Sequence, residues 1–243
     1  HFAEYEGKLH LVNGQHTLAA IEKSQISQIL DVCFTHEDPK DAYYRHDVGL
    51  KRTASDMFSS LQVADEFGFS ATQVNFISAS VRFISTGFGN PDGNKSRQLH
   101  PDEHISLFRE YADAAGLYFE VSAGHGRHMR RAVNRSATMS VAIATYRFAY
   151  SANETQVEDF WQGAIFGNGL RSGDPRKAAN VHLLSTEVKG GIGRNTMSSA
   201  KSSRYLAQCW NAWTEGRSIQ YTRVFNDKST IVINGTPWDG KAV

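Results

Sequence analysis

From residue 52 to residue 216 the chain repeats one pattern, in which apolar residues recur every three or four positions. This pattern limits the fold more than any other feature. The segments predicted as helices are 52–68, 71–86, 101–116, 127–150, 154–166, 174–187 and 200–216. Loops rich in Gly, Pro and Asn separate them, notably 86–97 and 166–175. A chain of 243 residues with this pattern can bury a large helical core.

The first fifty residues have a different pattern. Residues 8–12 and 29–35 are short runs typical of strands, and residues 14–25 have helical periodicity. This order predicts a β-α-β unit with two parallel neighbouring strands, whose helix begins at the carboxyl edge of the first strand. We therefore predict an α/β (α+β) chain, with a small α/β head at residues 1–50 and a mainly α-helical domain at residues 51–243.

Local signals refine the helix ends and the core. Thr155 and Glu158 have the spacing of a capping box, and Gly216 is a position where a helix is expected to end. Trp210 and Trp213 are three residues apart on a predicted helix, a spacing that favours the core although such aromatics can also stack on bases.

The composition limits the cell compartment and the partners. A formal net charge of +1 leaves nucleic-acid binding to local basic patches. Cys33 and Cys209 lack C-x-x-C spacing, which argues against a cysteine zinc site and predicts two buried thiols in a reducing cytoplasm. No apolar run approaches the length that crosses a bilayer and no leader is visible, so no membrane partner is expected.

A short corner after the first predicted strand has the composition of an anion site. Glycine at position 14 allows a tight turn and a close approach of the backbone to a ligand. Gln15, His16 and Thr17 then occupy the first helical turn, where unpaired N–H groups favour an anion, and an imidazole can donate to phosphate. The spacing also fits an ordinary Asn13-Gly14 turn in which His16 caps a neighbouring carbonyl.

Four segments carry a resemblance to a known family. Residues 11–21, LVNGQHTLAAI, resemble the DGQHR or NGQHR motif of the ParB/sulfiredoxin-like superfamily, and residues 44–58 resemble its iDxGxxRTxxD segment. Residues 160–175 and 209–217 resemble later signatures of phage-encoded ParB-like proteins with a helical C-terminal part. The resemblance spans nearly the whole chain.

The resemblance implies a phosphate or nucleotide pocket around this corner. The implied binding residues are Asn13, Gly14, Gln15, His16, Thr17, Lys51 and Arg52. Thr17 stands where the family usually has arginine, so Lys51 or Arg52 would have to supply the missing charge. Gln15 stands where sulfiredoxins carry a reactive cysteine, which excludes sulfinate repair. Such heads have strands and an acidic residue before the corner, so we expect this head to be N-terminally incomplete.

Acidic and basic groups elsewhere add candidate metal and DNA sites. Asp47 could orient His16 as a catalytic pair or hold Mg²⁺ together with Asp56, or it could simply form a turn. A basic cluster consists of Arg127, Arg130, Arg131 and Arg135. On one continuous helix Arg127, Arg131 and Arg135 would share a face able to follow a DNA backbone. The other interpretation, which a near-neutral chain favours, is a solvated face paired with acids elsewhere.

The implied function is that of a phage ParB-like protein in the cytoplasm of an infected bacterium. It would bind a nucleotide, such as ATP or CTP with Mg²⁺, or a DNA phosphate, and act in phage DNA metabolism. The expected partners are a nucleotide, DNA and a second copy of the chain as a homodimer. Two alternatives stay open. One is an enzyme of the same superfamily, either an NTP hydrolase, a kinase-like phosphotransferase or a nuclease. The other is a catalytically degenerate interaction protein, for example one directed against a host defence.

Overall fold

A computed structural model describes residues 1–39, 41–42, 58, 63–88, 99–126, 129–188, 198–219 and 231–240. These residues form a mostly helical α+β protein with a three-stranded sheet, so the α+β class predicted from the sequence is confirmed. The chain divides into two compact units, residues 1–62 and residues 63–243.

The first unit begins with a tight β-hairpin. Strand β1, Phe2–Tyr5, pairs antiparallel with strand β2, Lys8–Leu11. Glu6 and Gly7 connect them with φ angles of 51° and 72°, the left-handed region that both central residues of a type I′ turn require. The hairpin therefore supplies a strand before β2 that the sequence analysis did not predict.

Strand β3, Phe34–Thr35, completes the sheet, whose strand order is β2-β1-β3. It pairs parallel with β1, and Phe2 lies opposite Phe34 with their rings stacked 5.8 Å apart. The predicted strand at 29–35 is thus mostly irregular, and the prediction that β2 and β3 are parallel neighbours is wrong. The reason is that the hairpin places β1 beside β2, so that β1 lies between β2 and β3 in the sheet.

Helix α1, Gln15–Ser24, lies where the periodicity predicted it, but none of its residues is buried. The described core of the unit contains Ala3, Val12 and Ala42. Large apolar side chains consequently remain exposed among the described residues of this unit: Tyr5, Leu9, Leu18, Ile26, Ile29, Leu30, Val32 and Phe34. Cys33 is also exposed, so the prediction of two buried thiols is correct only for Cys209.

All the regular secondary structure described in the second unit is helical. Its described helices are α2 Val63–Glu66, α3 Ala71–Ser85, α4 Pro101–Ser122, α5 Arg130–Val133, α6 Ser136–Phe148, α7 Glu154–Phe166, α8 Pro175–Val188 and α9 Ser199–Thr214. The predicted helices at 71–86, 154–166, 174–187 and 200–216 are confirmed. The predicted helix at 101–116 is confirmed and continues to Ser122.

Helix α6 is the centre of the second unit. It packs against α3, α4 and α9, and every residue from Ala137 to Tyr146 is buried. A helix surrounded in this way needs small or apolar residues on all faces, and its sequence ATMSVAIATY has them. The hydroxyl of Thr145 donates to the Ala142 carbonyl at 2.7 Å and accepts from the indole N–H of Trp161 at 2.9 Å. The buried hydroxyl of Thr145 is thus satisfied as both donor and acceptor inside the core.

The predicted helix at 127–150 is interrupted before α6. Arg135 has an extended conformation, with φ −69° and ψ 139°, and separates α5 from α6. The side chain of Asn134 donates at 2.9 Å to the carbonyl of Arg130, the first residue of α5. In an unbroken helix the backbone N–H of residue 134 would donate to this carbonyl. The prediction of one continuous helix over residues 127–150 is therefore wrong. The reason is that an asparagine side chain can take the place of the backbone N–H groups that would continue the helix.

Two other predictions concerned helix ends. The capping box of Thr155 and Glu158 is wrong, because Asn153 caps α7 by accepting from the Gln156 N–H at 3.1 Å. Glu158 instead accepts a hydrogen bond from the Tyr150 hydroxyl at 3.1 Å. Asparagine is as good an N-cap as threonine, and it stands two positions earlier.

The predicted helix end at Gly216 is confirmed. Its φ of 64° is left-handed, and its N–H donates to the Trp213 carbonyl at 3.1 Å. The Arg217 N–H donates to the Ala212 carbonyl at 2.8 Å, which completes a Schellman motif at the end of α9.

Candidate functional site

The predicted phosphate corner is a glycine turn between β2 and α1. Gly14 has φ 103° and ψ 8°, and an added Cβ would meet no atom within 4 Å. The requirement for glycine is therefore conformational and not steric. The side-chain oxygen of Asn13 accepts from the Gly14 N–H at 2.7 Å, which holds the turn in this conformation.

Hydrogen bonds from the residue before β1 fix the corner to the sheet. The carbonyl of His1 accepts from the N–H of Val12 at 2.9 Å and from the N–H of Asn13 at 3.2 Å. The backbone nitrogen of His1 donates to the Asn13 carbonyl at 2.9 Å. No local motif marks His1, because its role depends on the hairpin.

The first turn of α1 presents backbone N–H groups that have no acceptor among the described residues. The first helical bond runs from the Leu18 N–H to the Gly14 carbonyl at 2.9 Å. Within the described part of the chain, no group accepts a hydrogen bond from the N–H of Gln15, His16 or Thr17. The side chains of these three residues are exposed, and the first turn contains no acidic residue. N–H groups without an acceptor and the helix dipole act together at a helix start in favour of an anion.

The other residues predicted for this pocket are not placed. Asp47, Lys51, Arg52 and Asp56 lie outside the described residues, so a second cation or a metal carboxylate at the corner stays a prediction. Among the residues that the structure does describe, no group of three or more His, Cys, Asp or Glu could hold a metal ion.

The predicted DNA-binding arginines do not share a continuous helix. Arg130 and Arg131 are exposed on α5, whereas Arg135 is half-buried in the break before α6. Arg127 lies outside the described residues. The helical stripe of three arginines is therefore wrong in its geometry. Arg130 and Arg131 keep the exposure that a phosphate contact needs.

Two buried serine–histidine pairs were not predicted. His104 Nε2 lies 3.1 Å from the Ser78 hydroxyl, and His182 Nε2 lies 2.8 Å from the Ser202 hydroxyl. Burial lowers the pKa of His104, and burial together with the charge of Arg135 lowers the pKa of His182 to about 4. Both imidazoles are therefore neutral near pH 7 and act as hydrogen-bonding core residues. The only sequence signal for these two pairs is that each histidine lies at a position of its helical pattern that faces the core.

The two later signature segments meet in the second unit. Asp174 accepts from the Arg176 side chain at 3.1 Å and 2.8 Å, and the guanidinium of Arg176 stacks on Trp213. Burial acts to raise the pKa of Asp174, but the hydrogen bonds and charge of Arg176 outweigh it, so this pKa is lowered. Trp210 is in the core at 1% exposure, as predicted, and Trp213 is half-buried.

The asparagine between these tryptophans holds the C-terminal segment. The side chain of Asn211 donates to the Val232 carbonyl at 3.0 Å and accepts from the Asn234 N–H at 2.8 Å. Trp238 then packs edge-to-face on Phe88, with the ring centroids 5.0 Å apart. Residue 211 thus ties α9 to the C-terminal segment 231–240.

Comparison with protein-family models, with curated proteins and with solved structures finds no match for this chain. The corner must therefore be judged on its own geometry. In the described part of the chain, no helix combines the length and the apolar character needed to cross a membrane.

Proposed function

We propose that this protein binds a phosphate group of a nucleotide or of DNA at the corner formed by Asn13, Gly14, Gln15, His16 and Thr17. One observation carries the proposal: the N–H groups of three successive residues at the start of α1 have no described acceptor. The resemblance of residues 11–21 to the ParB/sulfiredoxin-like motif supports the same assignment, as do its other matched segments.

The local chemistry suits a phosphate better than a neutral ligand. The N–H of Gly14 is already bound to Asn13, so the three following N–H groups are the backbone donors that remain. The exposed imidazole of His16 adds a side-chain donor beside them. Thr17 contributes a hydroxyl where the family has arginine, so we expect affinity in the micromolar range and not below it.

The proposal is that the corner binds a phosphate group, and it does not include catalysis. Hydrolysis or transfer of a phosphoryl group needs a general base and, in most such enzymes, a carboxylate-bound metal. The candidates for these roles are Asp47 and Asp56, which lie outside the described residues. A role in phage DNA metabolism follows from the resemblance and rests on the same phosphate contact.

Calorimetric titration tests the proposal directly. The full chain is titrated with ATP, CTP, GTP and UTP in Mg²⁺, and with a short DNA duplex. We expect micromolar binding of at least one of these ligands by the wild type. The variant His16→Ala should bind about tenfold more weakly, because a charge-assisted hydrogen bond to phosphate is lost.

A second histidine provides the matched control. His10 is exposed on β2, in the same unit, and is not part of the corner. His10→Ala should bind as the wild type does. Equal loss of binding in the two variants would show a general charge effect and contradict the proposal. A folded wild type that binds none of the ligands would also reject it and favour a role in protein interaction.

A further inference from the structure

A shallow groove with a volume of about 300 Å³ lies between the turn after α2 and one face of α4. Its lining includes Phe67, Phe69, Asp113, Gly116, Leu117 and Glu120. All these residues belong to the second unit, whereas the residues of the phosphate corner belong to the first.

The groove exists because α4 has a glycine in its interior. A Cβ at Gly116 would meet no atom within 4 Å, so the helix has open space where a side chain would stand. Glycine inside a helix lowers stability relative to alanine, and no turn or left-handed conformation requires it at this position. The absence of a side chain here leaves room for a group from outside.

The aromatic wall of the groove is held in place from both ends. Arg109 of α4 donates two hydrogen bonds to Glu66, at 3.0 Å and 2.7 Å, just before Phe67. After Phe69 the chain enters α3 through the capping box of Ser70. The rings of Phe67 and Phe69 stack 6.0 Å apart, and each meets Phe108 edge-to-face at 6.3 Å. The groove is therefore formed before any ligand arrives.

Two carboxylates flank the apolar floor. Asp113 and Glu120 are both exposed, and no hydrogen bond or ion pair to either side chain occurs among the described residues. They are seven positions apart on α4, which places them about 10 Å apart along the helix axis. Gly116 and Leu117 lie between them on the same face.

We propose that this groove docks a basic amphipathic helix of a partner protein. The partner would carry Lys or Arg at positions i and i+7, matching the spacing of Asp113 and Glu120, and an apolar side chain at i+3 or i+4. The apolar side chain would enter the space above Gly116 and contact Phe67, Phe69 and Leu117. The charge of the groove is complementary to such a helix and repels the phosphate ligand proposed for the first unit.

The probe is an alanine-based helical peptide labelled with fluorescein, with Lys at i and i+7 and Leu at i+3 and i+4. Binding to the full chain is followed by fluorescence anisotropy. We expect a Kd of about 10 to 100 μM, as for small transient interfaces. Binding should weaken as salt is raised. Peptides with Glu in place of Lys, or Ala in place of Leu, should not bind.

Two sets of variants locate the contact. Gly116→Gln places a long side chain in the groove. It should weaken peptide binding at least tenfold, because the apolar anchor of the peptide can no longer enter. Gly116→Ala adds only a methyl group, should keep binding within about threefold, and should raise the Tm by about 3 °C through helix propensity. Asp113→Asn combined with Glu120→Gln should weaken binding about fivefold. Glu110→Gln removes one negative charge from an exposed residue of α4 outside the groove and should have no effect.

Three outcomes would overturn the proposal. The first is a folded wild type that does not bind the Lys–Leu peptide at millimolar concentration. The second is binding that Gly116→Gln leaves unchanged. The third is self-association of the wild type, measured by analytical ultracentrifugation and abolished by Gly116→Gln, which would assign the groove to a second copy of the chain.

Discussion

The guanidinium carbon of Arg176 lies 4.2 Å from the centroid of the Trp213 indole, and the same guanidinium makes two hydrogen bonds to Asp174. Asp174 also accepts from the Arg176 backbone N–H at 2.9 Å, at the start of α8. The indole N–H of Trp213 donates to the Gln156 carbonyl at 3.1 Å. One planar cation therefore joins the start of α8 to α9, and through Trp213 to α7.

This relationship predicts that Arg176→Lys destabilises the protein by about 1 kcal/mol, because an ammonium group neither stacks on an indole in this way nor forms a paired contact with a carboxylate. Urea unfolding followed by circular dichroism measures the change. Lys177→Arg is the matched control, since Lys177 is exposed on the next position of the same helix. Its free energy of unfolding should change by less than about 0.5 kcal/mol.

The buried pair of His182 and Ser202 predicts acid sensitivity. The pKa of His182 is lowered by burial and by Arg135 to about 4, against 6.5 for a free histidine. As the pH falls from 6.5 towards 4, the unfolded chain takes up a proton that the folded protein does not, so stability decreases over this window and then levels off. The contribution of this residue is about 3 kcal/mol at most.

The test compares unfolding free energies at several pH values for the wild type and His182→Gln, which keeps a donor near Ser202 without a titrating group. We expect the pH dependence between neutral pH and the folded-state pKa to be shallower in the variant. Identical pH profiles would show that His182 is already charged in the folded protein, or that it is not buried.

Two glycines predict substitution effects of opposite sign. An added Cβ has open space at both Gly116 and Gly216, so contacts do not decide the outcome. Gly116 has ordinary helical geometry, and Gly116→Ala should stabilise the protein by about 1 kcal/mol. Gly216 has φ 64°, and Gly216→Ala should destabilise it by about 1 kcal/mol or more. Thermal unfolding of both variants checks the difference. The same sign for both would mean that backbone conformation does not control these positions.

The phosphate corner predicts a gain of affinity on restoring the arginine of the resembled motif. Thr17→Arg adds a full charge and a bidentate donor to the first turn of α1, so the Kd for the bound nucleotide should fall about tenfold. Ala20→Arg adds the same charge one turn further along the exposed helix and should change the Kd by less than about twofold. An equal gain in both variants would place the ligand elsewhere.

Elements with a strong local signal were predictable from the sequence. Helix α7 has its N-cap asparagine before it and Gly167, with φ 67°, directly after it, so its observed bounds agree with the periodicity. Gly216 ended α9 as expected, because a left-handed position after a helix selects glycine for a local reason. The corner at Gly14 follows the same logic, since the turn residue and the first helical turn are adjacent in sequence.

Features that depend on distant partners were not predictable. The pairing of β1 with β3 joins residues more than thirty positions apart, and a two-residue strand carries almost no periodicity of its own. The break at Arg135 is a local exception: it interrupts an unbroken hydrophobic pattern and is accompanied by one hydrogen bond, from the Asn134 side chain to the Arg130 carbonyl, that the pattern does not reveal. His104 and His182 differ from surface histidines only through the helices that cover them.

Local sequence was sufficient to predict most of the described helices, where several of them end, and which residues open the first turn of α1, because backbone preferences and hydrophobic period act over a few neighbouring residues. The strand order of the sheet, the neutral state of the buried histidines and the groove above Gly116 depend on the folded protein. These properties arise when elements distant in sequence pack together and exclude water. This packing sets how far a side chain is buried and whether a buried histidine is charged.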